Sequence, residues 1–151
     1  MLKVSYQLAP GRNGLADEEE LAGLTDVDFR FRFALGDLIL ESGPVDLSAR
    51  WGWVPLIDFV IGARGIVGLL EQHQIHAEFE FTESEATLSF TRQGVDLFLR
   101  ASYAEGEIKC SLPAFAEQLQ AFEHGLRHDL VERQPGLAHH AVFNQLWQAS
   151  G

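Results

Sequence analysis

The sequence predicts an α+β fold: a largely antiparallel sheet of about six strands, a central buried helix and two C-terminal helices packed on one face. Short runs in which apolar and polar residues alternate, separated by glycine-containing turns, are typical of antiparallel strands. Segments with helical periodicity stand apart from these runs. The chain has 151 residues and no long linker, so we expect a single domain over 1–151.

The central helix is predicted by the longest apolar run, residues 51–70. We expect it to begin near Pro55, because proline suits the first helical turn, and to extend to about residue 72. Gly62, Gly65 and Gly68 lie inside it, and each costs about 1 kcal/mol relative to alanine. Another backbone is therefore expected close to them. We favour the C-terminal helices for this role, and the alternative is a second copy of the chain in a homodimer.

The strands are assigned from alternation along the chain. Residues 2–8 predict the first strand, and a short helix or a loop is expected over 15–24. The clearest strand is predicted over 27–35, followed by a turn at Gly36-Asp37 and a returning strand at 38–41. In the second half, alternation predicts a meander of strands over 75–82, 87–91, 95–103 and 107–112. Pro113 opens an amphipathic helix, and a last helix is expected over 137–148.

The charge balance disfavours several classes of partner. There are 22 acidic and 11 basic residues, a net charge of −11, spread along the chain without a basic patch. Nucleic-acid binding is therefore not expected. The central apolar run is interrupted by Asp58 and Arg64, so no membrane span is predicted, and the N-terminus lacks signal-peptide features. We expect a cytoplasmic protein, in which the single Cys110 is a buried thiol.

Two histidines raise the possibility of a metal site. His124 and His128 are four residues apart on the helix opened by Pro113, a spacing found in metal ligands, and Asp129 is adjacent. The glutamate of the HExxH metalloprotease motif is missing between them. Two exposed histidines on a helix are the more common explanation, so no metal and no cofactor is predicted.

Carboxylates on one predicted strand raise a second possibility. Glu78 and Glu80, beside His76, would stand about 7 Å apart, near the separation used by glycosidases. Any amphipathic strand has this geometry, and catalysis also needs one carboxyl group in an apolar setting. Trp51 and Trp53 precede the central helix and predict either core packing or an aromatic contact surface. No catalytic residue is predicted, and we expect a non-enzymatic protein.

A small, acidic, cysteine-poor α+β domain with a mixed-charge sheet face resembles the immunity proteins of bacterial toxin systems. It also resembles many small uncharacterised bacterial proteins. The resemblance lies in size, charge and the strand-rich plan, with no residue-by-residue match. It implies a protein that binds a cognate toxin and blocks it.

The predicted partner-binding surface is the polar side of the sheet. Phe98 is its expected anchor, because an outward phenylalanine among charges is typical of an interface, although packing under a loop is an equal alternative. The alternative function is a small ligand-binding or enzymatic domain with a cleft between sheet and helices, holding Asp58, His124 or His128. The residues predicted to contact the partner are Arg30, Arg32, Glu78, Glu80, Asp96, Phe98 and Arg100.

Overall fold

The computed structural model describes residues 1–10, 18–82 and 84–148. It has the predicted α+β class, but its strands form two antiparallel four-stranded sheets where the sequence analysis expected one sheet of about six strands. The strands are β1 (Leu2–Leu8), β2 (Leu35–Ser42), β3 (Val45–Asp46), β4 (Ala49–Pro55), β5 (His76–Glu80), β6 (Thr87–Gln93), β7 (Asp96–Ala101) and β8 (Ala104–Ser111). The helices are α1 (Glu18–Leu21), α2 (Asp26–Arg32), α3 (Leu56–Glu71), α4 (Leu112–Arg133) and α5 (Ala141–Leu146), with a 3₁₀ turn at Pro135–His139 before α5.

The first sheet is built around β2. Strand β1 pairs with β2 along its whole length, while β3 and β4 share the other edge of β2. The predicted turn at Gly36-Asp37 is therefore wrong, because both residues lie inside β2. Gly36 is needed there for space, since a β-carbon would lie 2.2 Å from the carbonyl oxygen of Gln7. The predicted strands at 2–8 and 38–41 are confirmed as parts of β1 and β2.

The second sheet is the predicted meander, in the order β5-β6-β7-β8. The turn between the last two strands falls at 102–103. The sequence analysis placed it between its strands 95–103 and 107–112, at residues that lie within β8. Gly106 has φ +104° where the β7–β8 register shifts, and its position lies against Val45 of β3. The two sheets therefore meet at β3 and β8 without sharing a hydrogen-bonded ladder.

The segment predicted as the clearest strand is the helix α2. Thr25 caps this helix, accepting a hydrogen bond from the backbone N–H of Asp28 while the Asp28 carboxylate accepts from the backbone N–H of Thr25. Acidic residues occupy the first turn and basic residues the last, as the helix dipole favours. Phe29 and Phe33 lie four residues apart and are both buried, with their rings 5.1 Å apart. The alternation of apolar and polar residues over 27–35 therefore belongs to about two turns of helix, and the two-residue period of a strand was the wrong interpretation.

The central helix is confirmed as α3, with Pro55 as its N-cap. It ends in the arrangement usually built on glycine: the Gln74 N–H donates to the Leu69 carbonyl and the His73 N–H to the Leu70 carbonyl. His73, which takes the glycine position, has φ +75°. The guanidinium of Arg92 donates to the Leu70 carbonyl as well, so a cation lies at the negative end of the helix dipole.

Helix α4 has the predicted apolar stripe, and one core joins it to both sheets. Its buried residues include Phe115, Leu119, Phe122, Leu126 and Leu130. Phe122 contacts Tyr6 of β1 and Phe59 of α3, while Phe115 contacts Phe90 of β6. The last predicted helix is shorter than expected, because Pro135–His139 forms the 3₁₀ turn. His140 then caps α5, accepting from the N–H of Phe143 at Nδ1, while its Nε2 lies 2.7 Å from the Leu21 carbonyl oxygen.

Candidate protein-binding surface

One side of the second sheet carries polar and charged side chains, and none of them is buried. We call it the outer face; the opposite side carries the phenylalanines and leucines of the core. Alternation along each strand and the pairing between strands place its members in rows across the sheet. The outer face consists of His76, Glu78, Glu80, Thr87, Ser89, Thr91, Gln93, Asp96, Phe98, Arg100, Glu107, Lys109 and Ser111.

Five of the seven predicted partner-binding residues lie on this face. Glu78 and Glu80 are exposed on β5, an edge strand. On β7, Arg100 is exposed and its Nε lies 2.7 Å from Oε2 of Glu107. Asp96 lies 3.9 Å from the Lys109 ammonium. These are exposed ion pairs, so their contribution to stability is small and their charges stay accessible to a partner.

Phe98 lies in the row His76–Thr91–Phe98–Lys109 across the four strands. It is half-buried and is absent from the core that the other phenylalanines of the sheet form. Its cross-strand neighbours are Thr91 on one strand and Lys109 on the other. An apolar ring held among polar neighbours at the middle of a sheet is placed as an interface anchor would be.

Arg30 and Arg32 were expected on the same sheet face, and that placement is wrong, because both lie on α2. The Nε of Arg30 is 2.5 Å from Oδ1 of Asp58, which is buried in the first turn of α3. The Thr82 hydroxyl donates to the other oxygen of Asp58 at 3.3 Å. The ion pair and this hydrogen bond together join α2, α3 and the residue Thr82 just after β5. Arg30 is thus the cation that pairs with a buried carboxylate. Arg32 is exposed in the last turn of α2.

The three glycines of α3 have different surroundings. A β-carbon at Gly62 would lie 2.8 Å from the ring of Phe79 in β5, so this glycine makes room for the second sheet and not for the C-terminal helices. Around Gly65 and Gly68 no atom of the described residues lies within 4 Å of such a carbon, the helix's own backbone apart. A homodimer on this helix would therefore use the latter two positions, without Gly62.

Gly65 and Gly68 line a depression of about 560 Å³ between α3 and α4. Its size is within the range of ligand sites. At one end the Arg64 guanidinium pairs with Glu123 at 2.5 Å and donates to the carbonyl of Trp147 at 2.9 Å. The cleft considered in the sequence analysis was to hold Asp58, His124 and His128, and none of these lines the depression.

His124 and His128, which are four residues apart, are both exposed on α4. Nε2 of His128 lies 3.2 Å from a carboxylate oxygen of Glu132, one turn further along. Within residues 1–10, 18–82 and 84–148, no three histidine, cysteine or acidic side chains are grouped as metal ligands would be. His76 contacts Thr91 through Nδ1 at 3.0 Å and lies 3.8 Å from Glu78 through Nε2.

Two features near the strand ends were only partly foreseen. Cys110 was expected to be buried; it is half-buried, and desolvation raises the pKa of its thiol to about 11. For Trp51 and Trp53 the sequence analysis left two alternatives, core packing and an aromatic contact surface, and the two side chains differ in this respect. Trp51 packs against Phe81 and Tyr103 at the edge of the core, whereas Trp53 is 40% exposed.

Comparisons with protein-family models, with curated proteins and with solved structures each found no match to this chain. In the part of the chain that the structure describes, no helix is long and apolar enough to cross a membrane.

Proposed function

We propose that this protein binds another protein through the outer face, as an immunity protein that neutralises a cognate bacterial toxin in the cytoplasm. The observation that carries the proposal is the composition of that face: charged side chains of both signs surround Phe98, and none is buried. Protein interfaces combine such an aromatic anchor with a polar rim.

The charge of the face favours a cationic partner. Its carboxylates are Glu78, Glu80, Asp96 and Glu107, and its cations are Arg100 and Lys109, so four negative and two positive charges leave a net charge of −2. The whole chain carries −11. A field of this sign speeds the encounter with a basic protein, and mixed charges fix the register of the complex.

The edge of the sheet adds a second mode of contact. Among the described elements strand β5 pairs only with β6. On its other edge the His76 carbonyl accepts from the Gln74 side-chain amide, and the rest of that edge is the part that a partner strand would use. The exposed carboxylates of Glu78 and Glu80 also keep this edge from pairing with other copies indiscriminately.

The test is a protection assay with the product of the neighbouring gene. That product should be toxic when expressed alone, harmless when expressed with this protein, and should co-purify with it. Phe98→Ala should weaken the complex about 30-fold, the effect of an anchor worth about 2 kcal/mol. Arg100→Glu makes the face more negative, so it should raise the rate of association with a cationic partner at low salt. A neighbour that is not toxic, or that remains toxic in the presence of this protein, would overturn the proposal.

A matched control separates the face from general effects of truncation. Val27 is 55% exposed on α2, away from the outer face. Val27→Ala should leave protection and affinity unchanged. Equal losses for Val27→Ala and Phe98→Ala would show that binding does not depend on the outer face.

The alternative is a ligand-binding or enzymatic domain that uses the depression between α3 and α4. Its volume of about 560 Å³ is the observation in its favour. Gly68→Trp would fill the depression, since the position is open. If a small molecule raises the melting temperature of the native chain but not of Gly68→Trp, this second function is supported; protection that survives Gly68→Trp assigns toxin binding to another surface.

A further inference from the structure

Strand β4 leaves its ladder with β2 in a bulge. The pairing passes from Val54 to Ala49 across only two positions of β2, so residues 50–53 stand out from the sheet. We call residues 50–53 the tryptophan bulge, because Trp51 and Trp53 lie in it. Bulges re-aim side chains that a regular strand would direct elsewhere.

The conformation of the bulge is held by Gly52. Its φ is +77°, which favours glycine, and in the described part of the chain nothing lies within 4 Å of where a β-carbon would be. The glycine is therefore present for its backbone conformation and not for space. Its N–H donates to Oδ1 of Asp37 at 2.8 Å, so a carboxylate of β2 fixes the bulge.

The two indoles are stacked, with ring centroids 5.2 Å apart and planes inclined by 25°. Trp51 is the inner ring, because its edge contacts with Phe81 and Tyr103 tie it to the second sheet. Trp53 is the outer ring and is 40% exposed. The outer indole is thus both displayed and held in place, which is what a preorganised recognition site requires.

The surroundings of the bulge are negatively charged. Asp37, Glu41 and Asp46 carry three carboxylates, and Arg50 is the cation that pairs with Asp46 at 2.7 Å and with Glu41 at 3.5 Å. Among the described residues the Asp37 carboxylate accepts one hydrogen bond, from Gly52. No cation among them lies at ion-pair distance from it, although the charge of Arg50 also acts on it from further away. Cation–π contacts occur at Phe31 and Trp147 but not at Trp53 within the described chain.

We infer that the tryptophan bulge is a binding site for a cationic side chain, an arginine or lysine presented by another protein. The guanidinium or ammonium group lies over the ring of Trp53 and is neutralised by Asp37. A neutral apolar ligand would remove water from the Asp37 carboxylate without adding a hydrogen bond or a positive charge beside it, so the charge of Asp37 selects a cation. The site lies on the first sheet and does not depend on the proposed toxin binding at the outer face.

The test is NMR titration of the full chain with a peptide of four arginines, using a peptide of four citrullines as the uncharged isostere. The indole N–H signal of Trp53 should shift when the arginine peptide is added, and this shift should be smaller at 500 mM NaCl. The citrulline peptide should leave the signal in place. Trp53→Leu, followed through the indole N–H signal of the stacked Trp51, should weaken binding about 5-fold. Asp37→Asn keeps the acceptor for the Gly52 N–H and removes the charge, so it should weaken binding about 3-fold while the fold is retained.

Asp96→Asn is the matched control, because it removes one carboxylate from the outer face and should leave the Trp53 titration unchanged. Equal losses for Asp96→Asn and Asp37→Asn would show unspecific attraction to an acidic protein and overturn the inference. Equal binding of citrulline and arginine would do the same, because the cation would then be irrelevant. A Trp53 signal that moves with protein concentration alone would assign the bulge to contact with a second copy.

Discussion

Alanine at Gly62 and alanine at Gly65 should change the free energy of unfolding in opposite directions, although both positions lie in α3. At Gly62 the new β-carbon would lie 2.8 Å from Phe79 Cε1, a distance that requires a shift. Phe79 is 7% exposed, and its ring is held between Phe59 at 5.4 Å and Phe81 at 5.0 Å. The ring therefore has little room to move.

The magnitude follows from two opposing terms. Alanine gains about 1 kcal/mol of helix propensity at each position. Overpacking at Gly62 costs roughly 1–3 kcal/mol, so Gly62→Ala should lower stability by about 1 kcal/mol. At Gly65 and Gly68 none of the residues that the structure describes comes within 4 Å of the added carbon, so each alanine there should raise stability by about 0.5–1 kcal/mol. A gain of 1 kcal/mol raises the melting temperature of a chain of this length by about 2–4 °C.

The assay is urea unfolding followed by circular dichroism, with the m-value checked for constancy across the three variants. Loss of stability in Gly65→Ala or Gly68→Ala would refute the assignment of an open groove, because something would then have to cover the helix. If that loss vanished on dilution, the cover would be a second copy of the chain. A stabilising Gly62→Ala would refute the tight contact with Phe79.

Three further predictions concern other parts of the chain. His73→Gly should raise stability by about 1 kcal/mol, because glycine carries no penalty at φ +75°, whereas His73→Ala should give no such gain; urea unfolding compares the two. Arg30→Ala should lower the free energy of unfolding by on the order of 2 kcal/mol, because the buried Asp58 carboxylate loses its cation. Adding Asp58→Ala to this variant should recover part of that loss. Additive effects in the double-mutant cycle would contradict the pairing. Iodoacetamide at pH 8 should alkylate Cys110 about 100-fold more slowly than a thiol of ordinary pKa. Burial raises the pKa of Cys110 from 9.0 to about 11, so its thiolate forms only as the pH rises towards 11. Fast alkylation at pH 8 would show an accessible thiol.

Helices α3 and α4 were predictable because their signals are local. A proline at the start and an apolar stripe at helical spacing need only a few neighbouring residues to be read. The β5–β8 meander was predictable for the same reason, since alternation and glycine turns occur within each hairpin. Five predicted surface residues lie together on the outer face because period-two alternation in β5 and β7 was read correctly.

Arg30 and Arg32 were misplaced because a short segment of alternating residues fits either period. The capping box of Thr25 and Asp28, together with Phe29 and Phe33 four residues apart, was the local signal for a helix. The helix places both rings in the core, and this burial stabilises α2 over a strand.

The amino-acid sequence by itself determined the α+β class, the central helix, the amphipathic α4 and the polar face of the second sheet, because these depend on residues close together in the chain. Tertiary structure decided what the glycines of α3 face, how the strands divide into two sheets and where Trp53 is displayed. The Gly52 N–H donates to the carboxylate of Asp37, and Gly62 makes room for the ring of Phe79, each 15 or more residues away. Contacts at such separations depend on packing, which local periodicity does not encode.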